Sequence, residues 1–181
     1  MLEVLVAIFV LTVGLLGVAG IQSQMQTAQV EAYQRAQAIV LLQDMVDRIN
    51  ANRRNAPSYV AADLGLAAQD CNALPPADVA GKDRCEWNNA LYGAAETKAG
   101  VTYGAMNGAR GCVSNPVAAM PREVVVAVAW QGLRSTVAPA ATNCGENQYG
   151  ADDRVRRALV ARITIGCLEN DPTTGACVVS P

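Results

Sequence analysis

The chain is 181 residues long with a formal net charge of −2. It has no basic run able to neutralise many phosphates, which argues against nucleic-acid binding, and no histidine, which removes the commonest general base and transition-metal ligand. Hydrophobic residues make up 51% but aromatics only 4%, so the single domain expected beyond the N-terminal stretch has a core of small side chains.

Met1–Ile21 (MLEVLVAIFVLTVGLLGVAGI) is apolar except for Glu3. About 20 apolar residues suffice to cross a bilayer core as a helix, and a carboxylate inside such a segment needs a partner. Three readings compete. A secretory signal peptide has its small-x-small pattern in Gly17-Val18-Ala19, but the basic n-region is missing. A plain membrane anchor leaves Glu3 without a role. A helix that starts in the bilayer and later packs against copies of itself gives Glu3 a cation to meet, such as a neighbour's α-amino group. An unpaired buried carboxylate costs several kcal/mol, so Glu3 would then fix the axial register. Gly14, Gly17 and Gly20 recur at intervals of three. They read either as a face for close helix packing or as a weak point in the helix, since each costs about 1 kcal/mol relative to alanine.

From Gln22 the helical period continues. Ala38, Leu42, Met45 and Ile49 form an apolar stripe, widened by Ile39 and Val46. Glu31–Arg35 and Asp44–Arg48 are acid-before-base pairs at i,i+4. No proline precedes Pro57, and Arg53 and Arg54 suit a helix C-terminus. One helix from Leu2 to about Asn52 is predicted, roughly 75 Å long. The expected organisation is a hydrophobic transmembrane or assembly half (1–24), an amphipathic half (25–56) and a globular head (57–181).

Pro57–Asn89 reads as a connecting region with a short helix near Tyr59–Ala68, stapled by Cys71–Cys85 with Trp87 behind the staple. Ala90–Gly111 is glycine-rich; Gly104, Gly108 and Gly111 read as turns, because no strand-turn-helix frame makes them a phosphate-binding loop. Strands are expected at Arg110–Ser114, at Glu123–Gly132 (the most β-branched run) and at Val155–Cys167, with an edge at Cys177–Ser180. Arg154, Arg156, Arg157 and Arg162 read as a solvated strand face. Helix first and antiparallel strands after it give an α+β fold, with the amphipathic half of the helix on one sheet face.

The six cysteines, Cys71, Cys85, Cys112, Cys144, Cys167 and Cys177, include no C-x-x-C pair. An even count behind an export-type N-terminus reads as disulfides in an oxidising compartment. Fifteen pairings are open; Cys71–Cys85, Cys112–Cys144 and Cys167–Cys177 are preferred. No catalytic constellation is found: no G-x-S-x-G occurs, and the adjacent Asp152 and Asp153 would point to opposite faces of a strand. Asn143, Glu146 and Asn147, or Glu169, Asn170 and Asp171, offer hard oxygen ligands for calcium, but neither set has an EF-hand spacing. The expectation is therefore no enzyme, no cofactor and no metal.

Leu2-Glu3-Val4-Leu5-Val6-Ala7 resembles the opening of mature type IV pilins and pseudopilins, F-T-[LM]-[IL]-E-V-[LM]-[VI]-A. Met1 stands just before Leu-Glu, so the resemblance implies a start inside that pattern and leaves leader cleavage and N-methylation outside this sequence. Leu41–Arg53 (LLQDMVDRINANR) is similar to the L-L-x-D-M-x-x-R-[IM]-x-A-N-[RP] segment of PilV-type minor pilins, and Arg110–Val113 and Val126–Gly132 also look like PilV-type segments. The resemblance implies a disulfide-stapled pilin-like head. It also implies a place in the bacterial inner membrane with the head in the periplasm, and later in a pilus at the cell surface. Implied partners are other minor pilins, the major pilin, a tip adhesin and an inner-membrane assembly platform, with roles in pilus assembly, twitching motility and adhesion. A minor pseudopilin of type II secretion, or a membrane-tethered periplasmic binding module, is the alternative.

Overall fold

A computed structural model describes residues 2–93, 106–117 and 122–167, Thr173, Cys177, and the backbone of 97–98 and 101–102. The chain divides into two units, Met1–Arg35 and Ala36–Pro181. Helix α1 (Leu2–Ala51) begins in the first and ends in the second. Within the first unit it carries hydroxyls in an apolar setting, and these are satisfied locally. Thr12 Oγ1 donates to the Phe9 carbonyl at 2.8 Å and Thr27 Oγ1 to the Ser23 carbonyl at 3.2 Å, the back-bonding available to a threonine inside a helix.

In the second unit, Ala38, Leu42, Met45 and Ile49 of α1 are buried together. Val46 flanks them as expected, but Ile39 is 45% exposed and Leu41 takes the other flank. At 100° per residue Ile39 falls off the edge of a stripe centred between Leu42 and Met45. A 3₁₀ segment (Arg53–Tyr59) follows, then β1 (Ala61–Leu64), a short 3₁₀ turn (Cys71–Ala73) and α2 (Val79–Tyr92). A two-stranded ribbon of β2 (Thr97–Lys98) and β3 (Val101–Thr102) precedes β4 (Arg110–Val117), β5 (Arg122–Gln131) and β6 (Arg156–Ile165). The main sheet has the order β1-β4-β5-β6, antiparallel throughout.

The sequence reading of Pro57–Asn89 needs correction. Beyond Tyr59, which ends the 3₁₀ segment, the expected helix to Ala68 is absent: Asp63 (φ 53°) and Gly65 (φ 96°) adopt left-handed backbone, and Ala61 and Leu64 pair with Val113 and Gly111. The helix lies later, at α2. Asp78 caps it by accepting from the Gly81 N–H at 2.8 Å, and Gly93 ends it in the left-handed conformation. Gly111 is not a turn but a residue of β4 that faces α2. A Cβ there would come within 2.4 Å of Leu91 Cδ1 and of Trp87 Cη2, so only glycine lets α2 lie this close to the sheet. Gly108 does turn, at φ 60°. Gly104 and Val178–Ser180 of the expected edge lie outside the described residues; Cys177 sits in an isolated bridge.

Alternation along β5 sorts the core. Val124, Val126, Val128 and Trp130 face α1 and α2 together with Val113, Ile163 and Ile165. Ala127 and Ala129 face the other way and pack with Cys144 and Tyr149 beneath the β5–β6 connection. Cover on both faces explains why β5 reads as an unbroken apolar run instead of alternating.

Candidate functional site

Glu3 lies exposed in the first turn of α1, where a carboxylate complements the helix dipole. Every large apolar side chain from Leu2 to Ile21 is more than half exposed. The helix is long and apolar enough to cross a membrane. So much contiguous apolar surface marks a face for lipid or for another protein. A Cβ added at Gly14, Gly17 or Gly20 would meet nothing within 4 Å, and α1 runs through all three without interruption. Among the described residues, nothing packs against the three glycines.

The Leu41–Arg53 segment turns out to hold a clamp. Arg48 Nε donates to Asp44 Oδ1 at 3.0 Å and Oδ2 at 3.1 Å, while Nη1 donates to Asp83 Oδ1 at 2.9 Å and Glu86 Oε2 at 2.8 Å. One guanidinium, braced by Asp44 on its own helix, thus ties α1 to α2 through Asp83 and Glu86. Burial alone would favour neutral Arg48, but the hydrogen-bonded Glu86, Asp44 and Asp83 outweigh it and hold its pKa above the ordinary arginine value. Tyr59 donates to Asp83 and accepts from Asn52 Nδ2 at 3.3 Å. Asp44, Arg48, Ile49 and Asn52, four of the residues on which the segment's resemblance rests, thus have places in the clamp and the core. The sequence reading missed Asp83, Glu86 and Tyr59 because it missed α2. The signal was present in Asp78 and Gly93 as caps, with Asp83 and Glu86 at i,i+3 between them.

Two phenols are protected. Burial, reinforced by the hydrogen bond to Asp83, pushes Tyr59 up to about 12, and burial pushes Tyr149 up to about 12. Their folded pKa lies above the unfolded value of about 10. The stability gained by keeping them neutral is therefore full below about pH 10 and lost as pH rises through about 12. In an alkaline titration followed at 295 nm, Tyr59 and Tyr149 are expected to ionise last, together with loss of the sheet signal. Ionisation of all five tyrosines before any loss of structure would contradict these environments.

Three disulfides join Cys71 to Cys85, Cys112 to Cys144 and Cys167 to Cys177. The first fixes α2 to the 3₁₀ turn before it, and the second ties the β5–β6 connection to β4. Trp87 lies in the core facing the sheet, its Nε1 donating to the Leu41 carbonyl at 2.8 Å. The arginine face of β6 is split. Arg162 is exposed and paired with Glu123, but Arg156 is buried at 4% exposure, contrary to the reading of a solvated row. It is paired with Asp153, which is equally buried, while Asp152 is exposed beside Arg154.

A groove of about 590 Å³ opens beside this connection, with Asp63, Ser114, Val125, Thr142 and Arg162 among its walls. Its serine has no histidine to activate it. Among the described residues no three His, Cys, Asp or Glu side chains come together as metal ligands. Of the calcium candidates, the Asn143 carbonyl accepts from the Glu146 N–H and the Asn147 N–H donates to Asp153; Glu169, Asn170 and Asp171 lie outside the described residues.

Residues 20–89, under half of the chain, match the Tt1218-like family, described as Type IV pilin Tt1218. The match runs from the end of the apolar segment through the clamp and most of α2. No curated protein and no solved structure matches the chain. Residues 20–89 are thus similar to a type IV pilin family, and the apolar N-terminal helix, with its amphipathic end laid on an antiparallel sheet, is consistent with a pilin-like α+β fold.

Proposed function

We propose that this chain is a minor pilin of a type IV pilus, of the PilV type. It is held in the bacterial inner membrane by Met1–Ile21 with its head in the periplasm, and then enters a tip or priming complex that supports pilus assembly, twitching motility and adhesion. The observation that carries this reading is one helix with two parts. Its N-terminal part is exposed and carries no charged side chain apart from Glu3, and its continuation matches a type IV pilin family. Extraction from lipid into a fibre would replace one apolar environment by another. Glu3 would then have to find a cation, which a neighbour's N-terminal amine supplies. Gly14, Gly17 and Gly20 serve close approach of neighbouring helices, consistent with the open space around each. Other minor pilins, the major pilin, a tip adhesin and the inner-membrane assembly platform are the partners this role requires. The function is structural, not enzymatic.

The test is Glu3→Ala in the full-length precursor, with the membrane level of the subunit measured alongside. Loss of surface pili, or loss of this subunit from them, at a normal membrane level is expected. Normal pili with a defect in protein secretion would move the chain to a type II secretion pseudopilus. Normal pili and normal secretion would leave the helix an anchor for a periplasmic binding module.

A further inference from the structure

The β5–β6 connection, residues 132–155, covers the outer face of the sheet with little apolar material. Only Cys144, Tyr149 and Val155 of it pack onto Ala127, Ala129 and their neighbours. What shapes it is a buried cation. Arg156, at the start of β6, donates from Nη1 to the carbonyls of Thr142 (2.8 Å) and Cys144 (3.1 Å), and from Nη2 to the carbonyl of Pro139 (3.0 Å). Its Nε lies 3.3 Å from Asp153 Oδ2, the oxygen that accepts from the Asn147 N–H at 2.8 Å. Cys144 is thus gripped on both sides by bonds that do not involve its sulfur: its carbonyl by Arg156, its N–H by Thr142 Oγ1 at 3.1 Å. Tyr149 pins the far side through its hydroxyl to the Gly108 carbonyl at 2.6 Å. In this position Cys144 stands over Ala127, whose partner across the β4–β5 ladder is Cys112.

We infer that Arg156 is a templating residue for oxidative folding: it sets Cys144 beside Cys112 before the bond exists and so selects this pairing among the fifteen that six cysteines allow. The two cysteines are 32 residues apart, the widest separation of the three pairs, so chain proximity favours this bond least. A guanidinium that gathers three carbonyls and a carboxylate replaces that missing proximity with a high effective concentration. The chemistry is thiol–disulfide exchange with an external disulfide. The Cys144 or Cys112 thiolate attacks one sulfur of the external disulfide, breaking its S–S bond, releasing one external thiolate and forming a mixed disulfide; the second cysteine thiolate then attacks the protein sulfur of that mixed disulfide and releases the other external thiolate, so that the two cysteine protons and two electrons end on two external thiols.

The test uses the full chain in detergent micelles, reduced and then reoxidised with oxidised glutathione, with disulfides mapped over time by mass spectrometry. For Arg156→Met, the early yield of Cys112–Cys144 is expected to fall about tenfold, with Cys144 found as a glutathione adduct or mispaired, while Cys71–Cys85 forms at the wild-type rate. Equal rates and yields of Cys112–Cys144 in variant and wild type would overturn the inference. A second variant reads the same device without touching Arg156. In Cys112→Ser/Cys144→Ser, the amides of Gly132, Thr136 and Asn147, which bond to Val155, Arg154 and Asp153, are expected to keep their protection from hydrogen exchange. Loss of that protection would mean that the disulfide organises the connection, and would equally overturn the inference.

Discussion

Trp87→Ala is expected to destabilise the head by about 3–5 kcal/mol, the usual range for deleting a fully buried large aromatic. Trp87 has no exposed surface and lies in the cluster that joins α1, α2 and the sheet. Its ring fills the space that Gly111 leaves open, and its indole N–H satisfies the Leu41 carbonyl. For a domain of this size the melting temperature should drop by about 10 °C or more, measured by circular dichroism in detergent with disulfides intact. A drop of a degree or two would mean that α2 does not depend on this contact. Trp87→Phe, which keeps much of the volume and loses the hydrogen bond, should fall between the two.

Arg48→Ala is expected to cost about 1–3 kcal/mol. The substitution leaves Asp44, Asp83 and Glu86 facing one another without a cation, and Tyr59 bonded to one of them. Partial exposure of Asp44 and Glu86 softens the repulsion, since solvent screens it. The loss should therefore shrink in high salt, and Asp83→Asn combined with Arg48→Ala should recover part of it. Arg48→Lys should be intermediate, because a point ammonium cannot span three carboxylates as a planar guanidinium does. Equal stability of Arg48→Ala and wild type would show that the apolar stripe of α1 alone fixes α2.

Local pattern made some elements legible and hid others. Helix α1 was readable because its apolar run and its stripe of Ala38, Leu42, Met45 and Ile49 obey one period over a long distance, and nothing before Pro57 interrupts it. Strands β5 and β6 were readable from β-branched runs that end at glycine or cysteine. Helix α2 was not, because its buried face is spread over Ala80, Trp87 and Leu91 among charges and asparagines, so the helical period is weak while the caps Asp78 and Gly93 carry the signal. Arg156 misled for a physical reason. Arginine on a strand is usually solvated, and its burial depends on carbonyls brought in from residues 139–144, whose positions no local pattern encodes. The clamp was half legible: Asp44–Arg48 is an i,i+4 pair, but Asp83 and Glu86 lie 35 and 38 residues on from Arg48.

The central claim, that this chain is a fibre subunit and not only a membrane-anchored domain, is tested most directly by mass spectrometry of pili sheared from the cell surface. Peptides of the head, such as those around Arg110–Gln131, are expected in the sheared fraction of wild-type cells at a small fraction of the major pilin, and to vanish from it in Glu3→Ala cells while persisting in their membranes. Their absence from sheared pili of wild-type cells, with the chain present in the membrane, would contradict the account.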